Sequence, residues 1–188
     1  METLLELDRT ITLAINGAWS TALDPVMKFV SEVYVWVPLY LAVIAWFFWK
    51  MPWKKALVCV IVVVAAFAFT DMFSNFLKND VFMRPRPRVA LAGTIRNITG
   101  ETGGCGFPSG HACNTLCFAI LTSWIIKRKW WTPAILAWSL IISYSRIYLA
   151  AHYFGDVLAG FVLGGVTALA AIGLLKLIFK FLPEKCSA

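Results

Sequence analysis

Apolar residues in this chain come in long unbroken runs separated by short charged turns. Residues 33–49 carry no charged side chain, and neither do residues 56–70, 135–145 or 157–175. A helix needs roughly 20 mostly apolar residues to cross a bilayer, and each run reaches or approaches that length once its polar flanks are included. The pattern predicts five spanning helices, near 33–49, 54–77, 110–127, 131–148 and 155–180. Residues 1–32 read differently. Leu4, Leu5, Leu7, Ile11, Leu13 and Ile15 alternate with Glu6, Asp8 and Arg9, and Asn16-Gly17 and Asp24-Pro25 interrupt the segment. One or two amphipathic helices lying in the membrane interface are expected there, with a sixth span as the alternative.

Composition sharpens the class. Hydrophobic residues make up 60% of the 188 residues and charged ones 14%, against about a quarter charged in soluble domains. The expectation is an all-α, polytopic membrane helical bundle. It forms one domain over residues 1–188, with an interfacial segment at 1–32, a bundle at 33–182 and a long loop at 79–109. Loops of that length inside a compact domain tend to be functional. The first thirty residues lack the basic start and cleavage pattern of a secretory signal.

The net charge of +7 does not indicate nucleic acid, because the cations sit in short clusters beside apolar runs. Lys50, Lys54 and Lys55 form one cluster, and Lys127, Arg128 and Lys129 another. Tryptophans bracket both turns, at Trp46, Trp49 and Trp53 and at Trp124, Trp130 and Trp131. Short basic turns with aromatic flanks are expected on the cytoplasmic side. The 79–109 loop then falls on the opposite face, although it carries Arg84, Arg86, Arg88 and Arg96. Basic residues on that face need another reason, and an anionic ligand supplies one. Cys59, Cys113 and Cys117 lie in apolar stretches and read as small buried hydrophobes. Cys105 and Cys186 fall on opposite faces, so no disulfide between them is expected. With no Cys-x-x-Cys and only two histidines, no metal site is expected.

Three segments carry candidate chemistry. In Pro108-Ser109-Gly110-His111, serine is a favoured helix N-cap just before an apolar helix. The free N–H groups of that first turn suit phosphate oxygens, Gly110 admits a bulky oxyanion, and His111 projects from the same turn. An ordinary N-cap with an incidental histidine has the same appearance. In the segment from Ser145-Arg146 to His152 and Asp156, the histidine and aspartate are four residues apart. On a helix they share a face, and a carboxylate holding one ring nitrogen leaves the other free as a nucleophile or base. Lys78 followed by Arg84-Pro85-Arg86-Pro87-Arg88 offers cations on an extended backbone, as phosphate ligands or as contacts to anionic lipid.

These motifs resemble the type 2 phosphatidic acid phosphatases, which share their site with vanadium haloperoxidases. Pro108–His111 and Ser145, Arg146, His152 and Asp156 match that family's second and third elements in full, and the resemblance covers most of residues 70–165. The first element departs from the pattern. Five residues separate Lys78 from Arg84 and seven separate it from Arg86, one fewer and one more than the family usually has. On a helix the two offsets turn the side chains about 120° and about 80° apart respectively, which favours Arg86 and keeps Arg84 as a candidate.

The resemblance implies a metal-independent, cofactor-free, two-step hydrolysis of a membrane lipid phosphate or diphosphate. In it His152 is the nucleophile, Asp156 its helper and His111 the general acid. Lys78, Arg84 or Arg86, Arg146 and the N–H groups near Ser109 and Gly110 hold the phosphate. It also suggests a bacterial inner-membrane enzyme with its site facing the periplasm or exterior. Undecaprenyl diphosphate, or a general lipid phosphate such as phosphatidylglycerol phosphate, ranks first as substrate, and lipid A second. A phosphotransferase of the same family and a non-enzymatic lipid-binding protein are the alternatives. No oligomeric state is specified by the pattern.

Overall fold

A computed structural model describes residues 2–182. Among these residues the protein is helical, with one isolated bridge, Pro85 to Cys105, as its only β pairing. The helices are α1 (Glu2–Gly17), α2 (Leu23–Ser31), α3 (Val37–Lys50, preceded by a 3-10 turn at Val33–Trp36), α4 (Trp53–Phe76), α5 (Pro87–Ala90), α6 (Gly110–Ile126), α7 (Trp131–Tyr148) and α8 (Phe154–Phe181). Val33–Lys50, Trp53–Phe82 and Phe154–Phe181 are long and apolar enough to cross a membrane, and Gly110–Ile126 is a shorter apolar helix. The protein is therefore a multi-pass membrane helical bundle. The expected helices agree with the observed ones to within a few residues at each end.

Burial explains the arrangement. Helix α6 packs against α4, α7 and α8, and most of its residues are buried. A helix surrounded on all sides needs no polar stripe, which is why its sequence shows no helical periodicity. Phe47, Cys59, Leu121, Ile142 and Leu175 anchor the core. Helices α3, α4 and α8 expose Leu41, Phe48, Ile61, Val64, Met72, Val162, Val166 and Leu169 on their outer faces. So much exposed apolar surface is a lipid-facing surface.

Two glycines set the closest contact in the bundle. A Cβ on Gly160 would stand 2.5 Å from the Ser109 carbonyl oxygen, and one on Gly164 would stand 2.3 Å from that of Cys113. Gly160-x-x-x-Gly164 is thus a small-residue seam that lets α8 lie against the backbone of α6, as in other membrane helix pairs.

The two ends of the bundle differ in character. Met51, Lys55, Trp124, Lys127 and Phe179 meet at one end, where Lys50 lies 3.5 Å from the centre of the Trp49 ring and Lys127 5.4 Å from that of Trp124. Cations over aromatic rings fit a headgroup boundary. The opposite end gathers the N-terminus of α6, the C-terminus of α7 and the N-terminus of α8, with the 79–109 loop folded over them.

That loop is tied down. Residues 84–86 run beside 104–106, with Gly106 N donating to the Arg84 carbonyl at 2.8 Å and Arg86 N to that of Gly104 at 3.3 Å. Its arginines correct one expectation. Arg84 pairs with Asp8 and Asp156, Arg88 with Glu101 and Arg96 with Asp24. Most of the loop's positive charge is therefore neutralised by carboxylates of the same chain rather than held for a ligand. The Asp24 carboxyl is pulled down to about 2 by its hydrogen bonds from Arg96 and then from Tyr148, so this clamp keeps its charge across the physiological range. Cys59, Cys113 and Cys117 are buried free thiols; Cys186 lies outside the described residues.

Candidate active site

Three helix ends are brought together by the turns that follow or precede them. After α7, the Arg146 carbonyl accepts from Ala151 N at 3.0 Å and from His152 N at 3.2 Å, with Ala150 in the left-handed region (φ 55°). This tight turn sets His152 beside Arg146 instead of at the far end of a longer loop. Ser109 caps α6, its Oγ accepting from Ala112 N at 3.4 Å, and its own N–H donates to the Asp156 carbonyl at 2.9 Å. The first turns of α6 and α8 are thereby locked to each other.

A cavity of about 390 Å³ opens between these ends. Lys78, Arg86, Gly110, His111, Arg146 and His152 line it together. Three cations and both histidines, from four separate stretches of chain, thus face one space. His152 is deeply buried and Arg146 half-buried. Arg146 Nη1 donates to Ser31 Oγ, while its Nε is a buried donor with no protein partner. A buried guanidinium N–H left unpaired by the protein suits an anion oxygen. Lys78 Nζ donates to Asn75 Oδ1 at 3.1 Å and sits 3.1 Å from where a Cβ on Gly110 would be. The missing side chain at Gly110 is what lets the ammonium reach the first turn of α6.

The imidazole of His152 has a defined tautomer. Its Nδ1 lies 2.8 Å from the Gly106 carbonyl oxygen. A carbonyl only accepts, so Nδ1 carries the proton and Nε2 keeps its lone pair. Burial, followed by the charges of Arg146, Arg86 and Lys78, pushes this histidine well below its ordinary range. The ring is accordingly neutral at physiological pH.

The carboxylate of Asp156 stands elsewhere than the spacing suggested. Its Oδ2 is 3.7 Å from His152 Nδ1, too far for a hydrogen bond. Helix α8 begins at Phe154, so His152 precedes it, and the four-residue offset brings the carboxylate beside the ring without bonding it. Asp156 instead accepts from Tyr153 N at 2.9 Å and from Arg84 Nη1 at 2.7 Å. The partner of the histidine is the Gly106 backbone, which no side-chain pattern reveals.

The two candidate arginines separate cleanly. Arg86 lines the cavity, its Nε donating to the Cys105 carbonyl at 3.1 Å. Arg84 points away, into Asp8 and Asp156. The helical angles used to compare them do not apply, because the helix stops before either residue. Beyond α4 the chain makes a π turn over Leu77–Phe82, closes with Met83 N on the Lys78 carbonyl, and leaves Met83 in the left-handed region. A π turn takes up one residue more than an α turn, which accommodates the extra residue between Lys78 and Arg86.

Ser31, Asp71, Asn75 and Asn114 also line the cavity and were not among the sequence candidates. Asp71 and Asn75 precede Lys78 by seven and three residues on the same helix. Polar residues inside an apolar helix are the signal that points to them. Among the described residues no three of His, Cys, Asp or Glu cluster as a metal site.

An apolar groove of about 320 Å³ adjoins the cavity between α3 and α4, sharing Val33, Tyr40 and Phe67 with it and continuing past Val43 and Val60 to Phe47. A polar, cationic chamber therefore opens onto a purely hydrocarbon-lined trough.

Comparison with known proteins agrees with this geometry. The sequence profile of the PAP2 superfamily matches residues 56–179. The chain is 31% identical over 169 residues to a lipid A 4'-phosphatase of Bacteroides thetaiotaomicron, covering 88% of this chain and 75% of that protein. It is 32% identical over 167 residues to a lipid A 4'-phosphatase of Porphyromonas gingivalis, covering 87% and 71%. The crystal structure of a transmembrane PAP2-type phosphatidylglycerolphosphate phosphatase from Bacillus subtilis superposes with a TM-score of 0.76 at 22% identity, over 95% of this chain and 89% of that one; it shares the fold.

Proposed function

Because this chain belongs to the PAP2 superfamily, we propose that it hydrolyses the phosphate ester of a membrane lipid through a phosphohistidine at His152. The observation that carries this reading is the shared chamber: Lys78, Arg86, Arg146, His111 and His152 face one cavity that continues into an apolar groove. A phosphate held by the cations has its hydrocarbon tail directed along α3 and α4, so a lipid rather than a soluble ester fits both halves.

His152 Nε2 attacks phosphorus, the bond from phosphorus to the leaving oxygen breaks, and His111, entering the step as the imidazolium beside the bound phosphate, delivers its proton to that oxygen. Water then attacks phosphorus and gives up a proton to His111, restoring its imidazolium, as the phosphorus–nitrogen bond breaks. Inorganic phosphate leaves and His152 returns to its neutral form. Lys78, Arg86 and Arg146 stabilise charge on the non-reacting oxygens, which is where most of the catalysis of phosphoryl transfer lies. The Gly106 carbonyl holds the ring in the reactive tautomer.

For the substrate, the two lipid A 4'-phosphatases among the relatives support an order different from the one motifs alone suggest. Asp71, Asn75 and Asn114 beside the cations support the same order. They suit the hydroxyl and amide groups of a sugar headgroup, and the Asp71 carboxylate disfavours the second phosphate of a prenyl diphosphate. A phosphorylated glycolipid of the lipid A type comes first and undecaprenyl diphosphate second. The lysine-rich turns at 50–55 and 127–129 support a site on the outer, periplasmic face of an inner membrane.

The test is phosphate release from purified lipids (lipid A, undecaprenyl diphosphate, phosphatidylglycerol phosphate and phosphatidic acid), with the His152→Ala protein as blank. Lipid A is expected to turn over fastest, and EDTA to leave the rate within about twofold, since the cationic side chains do the work a metal does elsewhere. Faster release from the diphosphate overturns the substrate order. Loss of activity in EDTA that Mg²⁺ restores overturns the mechanism.

A further inference from the structure

Helix α1 is amphipathic, and one row of its polar side chains faces the protein. Asp8, Thr12 and Asn16 follow one another at four-residue intervals on one helical face, and Thr12 and Asn16 are buried. Leu4, Leu5 and Leu7, by contrast, are more than half exposed. Each inward residue holds a loop at the active-site end. Asp8 Oδ1 accepts from Gly155 N at 2.7 Å and Thr12 Oγ1 from Phe154 N at 3.1 Å. Asn16 donates to the Tyr148 carbonyl at 2.7 Å and accepts from Arg96 N at 2.9 Å. The first turn of α8 therefore has free N–H groups satisfied by α1 rather than by water.

One contact goes further than fastening. Asp8 Oδ2 accepts from Arg84 Nη2 at 2.7 Å, and the other arm of that guanidinium, Nη1, donates to Asp156 Oδ1 at 2.7 Å. The guanidinium also lies over the Tyr153 ring, 3.9 Å from its centre. Asp156 in turn holds Tyr153 N, the residue next to His152, and its carboxylate lies along the same edge of the imidazole as the Gly106 carbonyl. A Cβ on Gly106 would come within 2.8 Å of Asp156 Oδ2, so the carboxylate lies close against the Gly106 backbone.

We propose that Asp8 is a positioning residue for the reaction: through Arg84 and Asp156 it fixes the turn that aims His152 into the cavity. Helix α1 is thus a strap whose inner face completes the active site and whose exposed outer face carries Leu4, Leu5 and Leu7 beside Glu2, Glu6 and Arg9. This rests on the reading of His152 as nucleophile. Asp156 uses both carboxylate oxygens, and Arg84 keeps it in place only while Asp8 balances the guanidinium from the other side. Without Asp8 the arginine, which is partly exposed, can leave for solvent. Near-attack geometry is unforgiving, and a shift of about 1 Å costs up to about a hundredfold in rate.

Asp8→Asn is the informative variant. Its single amide oxygen can serve Gly155 N or Arg84, but not both. The expected result, with a lipid phosphate that the wild type hydrolyses and His152→Ala does not, is a kcat lowered about tenfold with KM within about twofold, and partial recovery in Asp8→Glu. The double variant Asp8→Asn with Arg84→Gln is expected to be no slower than Arg84→Gln alone, because both changes cut one relay. Wild-type kcat in Asp8→Asn overturns the proposal. So does an Asp8 effect that multiplies fully with that of Arg84, or a loss confined to thermal stability. If the wild type and His152→Ala do not differ on any lipid, it is the assignment of the nucleophile that fails.

Discussion

Replacing His152 with alanine is expected to reduce phosphate release to the uncatalysed rate while leaving a folded protein. The ring contributes one hydrogen bond to the Gly106 carbonyl, and losing it costs about 1 kcal/mol, too little to unfold the bundle. What disappears is the imidazole whose Nδ1 proton is held by the Gly106 carbonyl and whose other nitrogen is left to attack. His111→Ala serves as the comparison. It keeps the nucleophile and loses the general acid, so its rate should fall by about 10²–10⁴ without vanishing. Phosphate release measured on both purified variants separates the two roles. A His152→Ala protein with substantial turnover transfers the role of nucleophile elsewhere, and Asp71, a carboxylate in the same cavity, is the first place to look.

The second large effect concerns the seam between α6 and α8. In Gly164→Ala the new methyl carbon meets the Cys113 carbonyl oxygen at 2.3 Å, far inside van der Waals contact. Backbone atoms cannot rotate away as a side chain can, so the two helices must separate. Overpacking of this kind costs about 1–3 kcal/mol or more. The damage is also directed, because α6 carries Ser109 and His111 at its N-terminus and α8 follows directly on His152. A drop in unfolding temperature together with loss of most turnover is expected. Gly165→Ala, one residue on, meets nothing within 4 Å and gains helix propensity of about 0.5–1 kcal/mol. It should unfold no earlier than the wild type and turn over equally fast. Thermal unfolding and phosphate release on this adjacent pair test whether the glycine seam sets the site geometry.

Much of the fold was legible because a bilayer writes its constraint directly into sequence. Uncharged runs bounded by lysines and tryptophans marked residues 33–49, 54–77, 110–127, 131–148 and 155–180, and helices stand at all of them. The two helices of the first 32 residues were also readable from alternation and turn residues. Their orientation was not, since alternation cannot say whether Asp8, Thr12 and Asn16 face water or a buried loop. The same limit applies at the site. Motif spacing named the residues the cavity gathers (Lys78, Arg86, Gly110, His111, Arg146 and His152), but not what holds them.

Local spacing misled in two places, and for one reason. The four residues from His152 to Asp156 and the eight from Lys78 to Arg86 were both measured on a continuous helix, whereas the helix starts after His152 and ends before Arg86. A π turn and a left-handed residue, neither of which has a sequence signature here, decide where Arg86 goes. The arginines of the 79–109 loop were read as ligand contacts because their partners, Asp8, Asp24 and Glu101, become neighbours only through tertiary folding. Charge balance on a folded surface is a long-range property.

The most direct measurement is to trap the phosphoenzyme. Purified protein mixed with a radiolabelled lipid phosphate and quenched in base during turnover should carry label on the peptide containing His152. A phosphohistidine bond survives base and is lost in acid, and the His152→Ala protein should carry no label. Label that is lost in base, as an acyl phosphate loses it, or label undiminished in that variant, contradicts a histidine nucleophile assembled at these helix ends.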